Sequence, residues 1–289
     1  MRTFSIGRYT VNRVGYGAMQ LTGSGVFGPP ADRGKALAIL RRAVEAGVNH
    51  IDTADFYGPR VVNELIREAL YPYPTDLVVV SKVGARRTAD GGIHAWDEPA
   101  DLRRGIEDNL RALGVSHLPA VNLRVMGDRV ADARFEAQVG TMVQACEDGL
   151  IGGVGLSNVS LDQLRAALRI TEVACVQNSF SPLDRGSAGV LRECARRGIA
   201  FVPFVPLGFP RPRREAILSD PVVVGVARAL DLTPAQVVLA FLAAVSPNVL
   251  LIPGTSSMRH LEENLAVSRV ELDAPTIARL EGAFAGRDR

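Results

Sequence analysis

Eight apolar, β-rich runs recur along the chain, and each is continuous rather than alternating. They begin at Arg13 (RVGYGAM), Val48 (VNHIDTA), Leu77 (LVVVSKV), Ala120 (AVNLRVM), Ile151 (IGGVGLS), Ala174 (ACVQNSF), Ile199 (IAFVPFV) and Asn248 (NVLLIPG). Continuous apolar runs are what strands buried on both faces require. Helical periodicity fills the gaps. In DLRRGIEDNLRALG, residues Leu102, Ile106, Leu110 and Leu113 share one face, and Gly114 supplies a stop. Ser160 with Gln163, and Thr233 with Gln236, have the spacing of reciprocal capping boxes, with Pro234 in the first helical position of the second. A further helix is expected in SSMRHLEENLAV, after the last run.

Strand and helix alternating eight times predict an α/β fold, a (β/α)8 TIM barrel. A doubly wound sheet is the alternative. Against it, no G-x-G-x-x-G opens a helix after a strand, and GYGAMQ lacks the third glycine. The first residues, RTFSIGRYTV, read as a short hairpin turning at Gly7 and placed to close the lower end. No linker or low-complexity segment divides the chain, so a single barrel domain over 1–289 is expected.

Composition narrows the picture a little. Of 289 residues, 47% are hydrophobic and 22% charged, and the net charge of +2 leaves no electrostatic footprint for nucleic acid. The longest apolar run, Val237 to Val245, is too short to span a bilayer, and the first residues lack the apolar core of a signal peptide. A cytoplasmic protein that is a monomer or weak oligomer, with neither membrane nor nucleic-acid partner, is expected. Cys146, Cys175 and Cys194 are odd in number and widely spaced, which reads as reduced thiols and no metal site.

Barrel chemistry gathers at the C-terminal ends of strands. There the runs place Met19 and Gln20, then Asp52 with Tyr57 in the following loop, then Lys82, Arg124, Ser157 with Asn158, Gln177 with Asn178, and Phe204. Each alone has a plain explanation: a snorkelling lysine, a capping aspartate, a Ser-Asn turn. Together they converge on one mouth. A lysine ammonium beside a tyrosine favours its anion and should lower its pKa, and a carboxylate can hold the ammonium in place. Asp52, Lys82 and Tyr57 can thus form a relay in which Tyr57 protonates a carbonyl oxygen. With no metal constellation or nucleophile–base pair visible, a bound hydride donor is the natural electron source. Asp55 reads as a turn or solvent residue. Phe204 can stack on a planar ring, the Pro206–Gly208 loop should expose backbone N–H groups, and GTSSMRH places hydroxyls at a helix start suited to an anion.

The ordered motifs NHIDTADFYG, VVVSKVG, GLSNVS, VQNSFSPLDR, PFVPLG and LIPGTSSMRHLEENL make nearly the whole chain resemble an aldo-keto reductase. The resemblance implies a (β/α)8 barrel that binds extended NADP(H) without a Rossmann fold. It assigns Asp52, Tyr57 and Lys82 to the catalytic set, Ser157, Asn158 and Gln177 to the nicotinamide carboxamide, and Phe204 to the ring stacked on it. It also implies nucleotide contacts at Gly17, Ala18 and Met19, and along Val205, Pro206, Leu207 and Gly208. Ile252, Gly254, Thr255 and Ser256 would follow at the adenosine end, with Arg259, His260, Glu263 and Asn264 on the helix after them.

The chain departs from the family in two places. The family's catalytic histidine lies in a segment resembling LGLDYVDLYLIH; here LGVSHLPAVNLR places Arg124 there, and His117 precedes the strand. Arg124 can hydrogen-bond the carbonyl oxygen, pair with a substrate acid, or block the pocket. Lys and Arg of many relatives are replaced by Gly254 and His260, leaving Thr255, Ser256 and Arg259 for a 2′-phosphate. The arginine variant resembles a bacterial subgroup some of whose members look like pyridoxal reductases, which makes pyridoxal the candidate among small aldehydes and ketones. Arg86, Arg87, Trp96, Phe27 and the 210–214 loop would line the mouth, and Arg211 to Arg214 is either a solvated loop or a pyrophosphate clamp. A nucleotide-binding regulatory barrel with weak or lost catalysis is the alternative function.

Overall fold

A computed structural model describes residues 3–88 and 90–287. Among these, ten strands and eleven α-helices follow in order. The strands are β1 (Thr3–Ile6), β2 (Tyr9–Asn12), β3 (Tyr16–Gly17), β4 (His50–Asp52), β5 (Val78–Arg87), β6 (Ile93–Trp96), β7 (Ala120–Arg124), β8 (Val154–Ser157), β9 (Val173–Ser179) and β10 (Ala200–Phe204). The helices are α1 (Arg33–Glu45), α2 (Val61–Leu70), α3 (Pro99–Leu113), α4 (Ala133–Glu147), α5 (Leu161–Ile170), α6 (Ala188–Arg196), α7 (Arg211–Leu218), α8 (Pro221–Ala229), α9 (Pro234–Val245), α10 (Met258–Ala266) and α11 (Ala274–Phe284).

Parallel pairing runs β10-β9-β8-β7-β5-β4-β3. The expected eighth strand is thinner than its apolar run suggested. Val249 bridges Phe201 and Leu251 bridges Val14, and these two isolated bridges close the barrel between β10 and β3. The first strand is likewise reduced to Tyr16–Gly17. Both runs are buried as anticipated, but few of their backbone groups find ladder partners at the seam.

Two apolar populations hold the barrel. Val78, Val80, Ala120, Ala200, Val202 and Leu250 fill its interior, joined by Ile6 and Val11 of the hairpin β1–β2. The hairpin turns at Gly7, as expected, and Gly7 donates its N–H to Ala174 O at 3.2 Å, which plugs the lower end. The start of that expected hairpin, Arg2, lies outside the described residues. Outside the strands, the periodic faces of the helices pack inward, with Leu102, Ile106, Leu110 and Leu113 all buried. Both predicted capping boxes form, and Gly114 closes α3 at φ 70°, a conformation that strains residues carrying a Cβ. Arg211–Arg214, expected as a loop, opens α7, where Arg211 pairs along the helix with Glu215.

No single described helix is long and apolar enough to cross a membrane, and the apolar α9 is buried from Gln236 to Leu242. All three cysteines are free, and burial pushes Cys175 and Cys194 up to about 12.

Candidate active site

The strand ends assemble as their order requires. Asp52 ends β4, Lys82 lies in β5, and the two are neighbours in the sheet. Lys82 Nζ donates to Asp52 Oδ1 at 2.6 Å and to Thr53 O at 2.9 Å. Gln177, on β9, donates from Nε2 to Asp52 Oδ2 at 2.8 Å. Both oxygens of Asp52 are therefore engaged across the barrel, and all three side chains are buried. Gln177 thus presents its amide N–H to the carboxylate rather than outward, leaving its carbonyl as the acceptor.

Tyr57 folds back over this pair, with the Lys82 ammonium 4.8 Å from its ring centroid. Its ring meets Phe56 edge-on at 5.2 Å. The expectation that the cations lower its pKa does not hold. Burial pushes the phenol above its ordinary value and outweighs the opposing pull of Lys82 and Arg124, with Asp52 adding to the rise. For Lys82, burial works against the charge, but Asp52 and Tyr57 together overcome it and keep its pKa above the usual lysine value. The site therefore holds a neutral phenol above a charged ammonium.

Arg124 ends β7, registered against Ser157 of β8. Its guanidinium stands 5.5 Å from the Phe204 ring centroid, and Nη1 donates to Ser157 Oγ at 3.3 Å. Its Nε is buried without a partner. Gly84 makes room for this residue: at φ 100°, a Cβ there would collide with the Arg124 carbonyl oxygen. His117 lies before the strand, at the lower end, between Tyr9 and the Gly149 carbonyl, and does not approach the cluster.

Asp55 lies in a turn, as anticipated, and is half-buried. Its Oδ1 is buried with no hydrogen-bond partner, and burial, reinforced by Asp108, pushes its pKa up to about 6. Three further features were not read from the sequence. Thr53, Ser81, Asn63 and Asn109 form a buried hydrogen-bonded chain that ties the ends of β4 and β5 to α2 and α3. The signal available for it was an asparagine on an otherwise apolar helix face. Second, β6 turns back antiparallel on β5, with Arg86 over Trp96 at 5.0 Å. Arg87 of this hairpin donates to Phe56 O at 3.2 Å and to Gly91 O at 2.6 Å, and Phe27 lies against Gly91. Third, His50 is buried next to Asp52, and burial lowers it to about 4, which keeps the ring neutral.

The remaining expected contacts divide into a well-formed half and a sparser one. Ser157 is registered against Gln177, and Phe204 stands one strand further on. Asn158, at φ 60°, donates Nδ2 to Val125 O at 2.9 Å. This puts polar amide groups, their carbonyls left as acceptors, and the Ser157 hydroxyl beside an aromatic face, a set that fits the amide-bearing ring of a nicotinamide nucleotide. Gly17 and Ala18 are buried and Met19 half-buried at the end of β3, next to buried Ile252. The loop after β10 offers fewer donors than expected, because Pro206 has no N–H and Gly208 gives its own to Val205 O at 2.8 Å. Val205 takes φ 49°, rare for a β-branched residue, and Leu207 beside it is half-buried. Before α10, two hydroxyls build the turn: Thr255 Oγ1 accepts from Ser257 N, and Ser257 Oγ caps His260 N. Gly254, Ser256, Arg259 and His260 are exposed, Arg259 pairs with Glu263 at 2.9 Å, and Asn264 is half-buried. Those exposed donors at a helix start suit a phosphate.

A groove of about 430 Å³ opens at the opposite end, lined by Tyr9, Tyr73, Leu77 and His117. It contains none of the clustered groups at the strand ends, and the chemistry lies with those groups.

A parallel barrel with a polar cluster at its strand ends defines the class, and sequence comparison places the chain within it. The aldo/keto reductase family profile matches residues 13–284, and the chain belongs to that family. It is an oxidoreductase acting between carbonyl and alcohol groups. It is 48% identical over 283 residues to pyridoxine 4-dehydrogenase of Escherichia coli (strain K12), covering 97% of each chain. It is 36% identical to an uncharacterized oxidoreductase of Schizosaccharomyces pombe, over 96% of this chain and 89% of the relative. Among solved structures, an aldo-keto reductase of Klebsiella pneumoniae in complex with NADPH matches with a TM-score of 0.81 at 24% identity, over 98% of this chain and 96% of that one. That likeness bears on the fold, and it agrees with the barrel and hairpin described above.

Proposed function

We propose that this protein reduces a small aldehyde or ketone with NADPH, that Tyr57 donates the proton, and that pyridoxal is the substrate. The carrying observation is the buried Lys82–Asp52 pair at 2.6 Å beneath a phenol that burial keeps protonated. The cofactor assignment is supported by the amide and aromatic groups at Ser157, Asn158, Gln177 and Phe204, and by the family. The substrate assignment is supported by the relative named for pyridoxine oxidation, since pyridoxal is pyridoxine oxidised at its 4-hydroxymethyl carbon.

The bound dihydronicotinamide would supply a hydride to the carbonyl carbon. As that bond forms, the C=O π pair moves onto oxygen, and Tyr57 gives its phenolic proton to that oxygen. The product is an alcohol, and Tyr57 is left as a phenolate. Lys82 and Arg124 then stabilise the phenolate, and Asp52 fixes the ammonium that does so. Because burial raises the Tyr57 pKa, the donor form persists through neutral pH, and the alkaline limb of reduction lies later than two adjacent cations alone would set it.

The test is NADPH consumption across a small panel of aldehydes and ketones, pyridoxal included, with NADH in parallel. Turnover of pyridoxal above simple aliphatic aldehydes is expected. A panel in which no carbonyl consumes NADPH overturns the reading.

A further inference from the structure

Arg124 is a half-buried cation that forms no ion pair among the described residues. The buried carboxylate at the strand ends is already occupied: Asp52 gives one oxygen to Lys82 and the other to Gln177. Tyr57 is a neutral phenol before reaction. Among the described residues Arg124 forms no ion pair; its one hydrogen bond is the 3.3 Å contact to the Ser157 hydroxyl, and Nε is buried with nothing to accept from it. A guanidinium carries five N–H donors in a planar fork that matches two oxygens side by side. Burying its Nε with no acceptor is unfavourable unless something enters to accept the hydrogen bond. The carboxylate that acts on Arg124 from within is Asp52, which is already doubly engaged; the charges facing Asp55 are Asp108, Arg60, Arg86 and Glu64.

We infer that the substrate supplies the missing anion: an aromatic aldehyde bearing an ionised oxygen on the ring carbon next to the reacting group. This rests on the reading of Tyr57 as proton donor and goes on to name the substrate class. In such an aldehyde the carbonyl oxygen and the ring oxyanion lie on one edge, so a single guanidinium meets both. The carbonyl oxygen then sits between Tyr57 and Arg124, while the second oxygen takes the donors left over. Pyridoxal has this arrangement, with its 3-oxygen beside the 4-aldehyde. Arg124 is thereby a specificity-determining residue and more than a substitute for the family's histidine.

The experiment compares kcat/KM for 2-hydroxybenzaldehyde, 2-methoxybenzaldehyde, 3-hydroxybenzaldehyde, benzaldehyde and phenylglyoxylate, in wild type and in Arg124→Gln and Arg124→Lys. The wild type is expected to favour 2-hydroxybenzaldehyde over its 2-methoxy and 3-hydroxy analogues by at least about tenfold, the size of one good charge-assisted contact. Arg124→Gln should bring that ratio close to one, with Arg124→Lys between. A second readout needs no turnover: in protein loaded with NADP+, absorbance titration should show the phenol of bound 2-hydroxybenzaldehyde ionising at lower pH than in free solution, and Arg124→Gln should remove the shift. Equal kcat/KM for the three substituted benzaldehydes, or a phenol pKa unmoved on binding, overturns the inference while leaving the reductase reading intact. A preference for phenylglyoxylate with no ortho effect also overturns it, placing the anion on a carboxylate. If no aldehyde is reduced, the reductase reading fails, and the phenol titration still decides the inference on its own.

Discussion

Two ion pairs in this protein join similar groups and behave as opposites. Lys82 and Asp52 meet at 2.6 Å with side chains 3% and 4% exposed, whereas Arg259 and Glu263 meet at 2.9 Å with side chains 74% and 24% exposed. Water and salt compete for the second pair, so its strength is of the surface kind, roughly 0–1 kcal/mol. The first pair is desolvated, and each of its atoms has a named partner, so losing one member strands the other in the interior. The contrast separates two tasks. A proton donor needs charges whose positions and protonation are fixed, which burial provides. A phosphate contact needs donors that can leave water and return to it, which an exposed helix start provides.

The largest expected effect falls on the buried side. Tyr57→Phe should lower turnover by ~10² to 10⁴, the usual loss on removing a general acid, while NADPH affinity by fluorescence titration stays within about twofold. Wild-type turnover in this variant would remove Tyr57 from the chemistry. Asp52→Asn should destabilise the fold by about 3–5 kcal/mol at neutral pH, because Lys82 then lacks its counter-charge. Its pH dependence sharpens the test. Without Asp52, burial should depress the Lys82 pKa below its unfolded value, so the unfolded state binds more protons and the variant regains stability as pH rises. Urea denaturation near pH 7 and pH 9 should therefore give a smaller deficit at the higher pH. A deficit that grows with pH would contradict the picture of a stranded ammonium.

Asp55 gives an intermediate effect of opposite sign. Its folded pKa, about 6, lies above the ordinary 3.8, so the unfolded chain loses the proton first. Stability from this group is present below about pH 4 and declines as pH rises through 6, by on the order of 1–3 kcal/mol. Asp55→Asn should raise the melting temperature at pH 7.5 and leave it nearly unchanged at pH 4. Equal shifts at both values would mean the carboxyl does not titrate in this range. The smallest effect belongs to the exposed pair. We expect NADPH to bind at least about tenfold tighter than NADH, roughly 1.4 kcal/mol. Arg259→Ala should narrow that ratio, and raising the ionic strength should narrow it further. A ratio insensitive to both would place 2′-phosphate recognition elsewhere.

How far the site was legible depended on how local its causes are. Asp52, Lys82, Arg124, Ser157 and Gln177 each end an apolar run, and a buried parallel strand has one end at the barrel mouth, so their common neighbourhood followed from pattern alone. The helix starts at Ser160 and Thr233 were equally readable, because a capping box closes within four residues. The closing seam was not. Val249 and Leu251 sit in a run as apolar as the others, yet whether a strand forms a full ladder depends on the register of neighbours distant in sequence, Phe201 on one side and Val14 on the other.

The sequence by itself determined the order of strands and helices, the hairpin beneath the barrel, and which side chains meet above it. Tertiary structure alone decided the electrostatics of that meeting. Two cations near Tyr57 pointed to a lowered pKa, and burial reversed the sign. Asp55 read as a turn or solvent residue until neighbouring elements enclosed one of its oxygens, and Arg124 read as one cation among several until its Nε was found buried without a partner and Asp52 engaged by Lys82 and Gln177. Periodicity records which face of an element is turned inward. Desolvation and pairing are sums over neighbours brought in from distant parts of the chain, and those sums exist only once the barrel has closed.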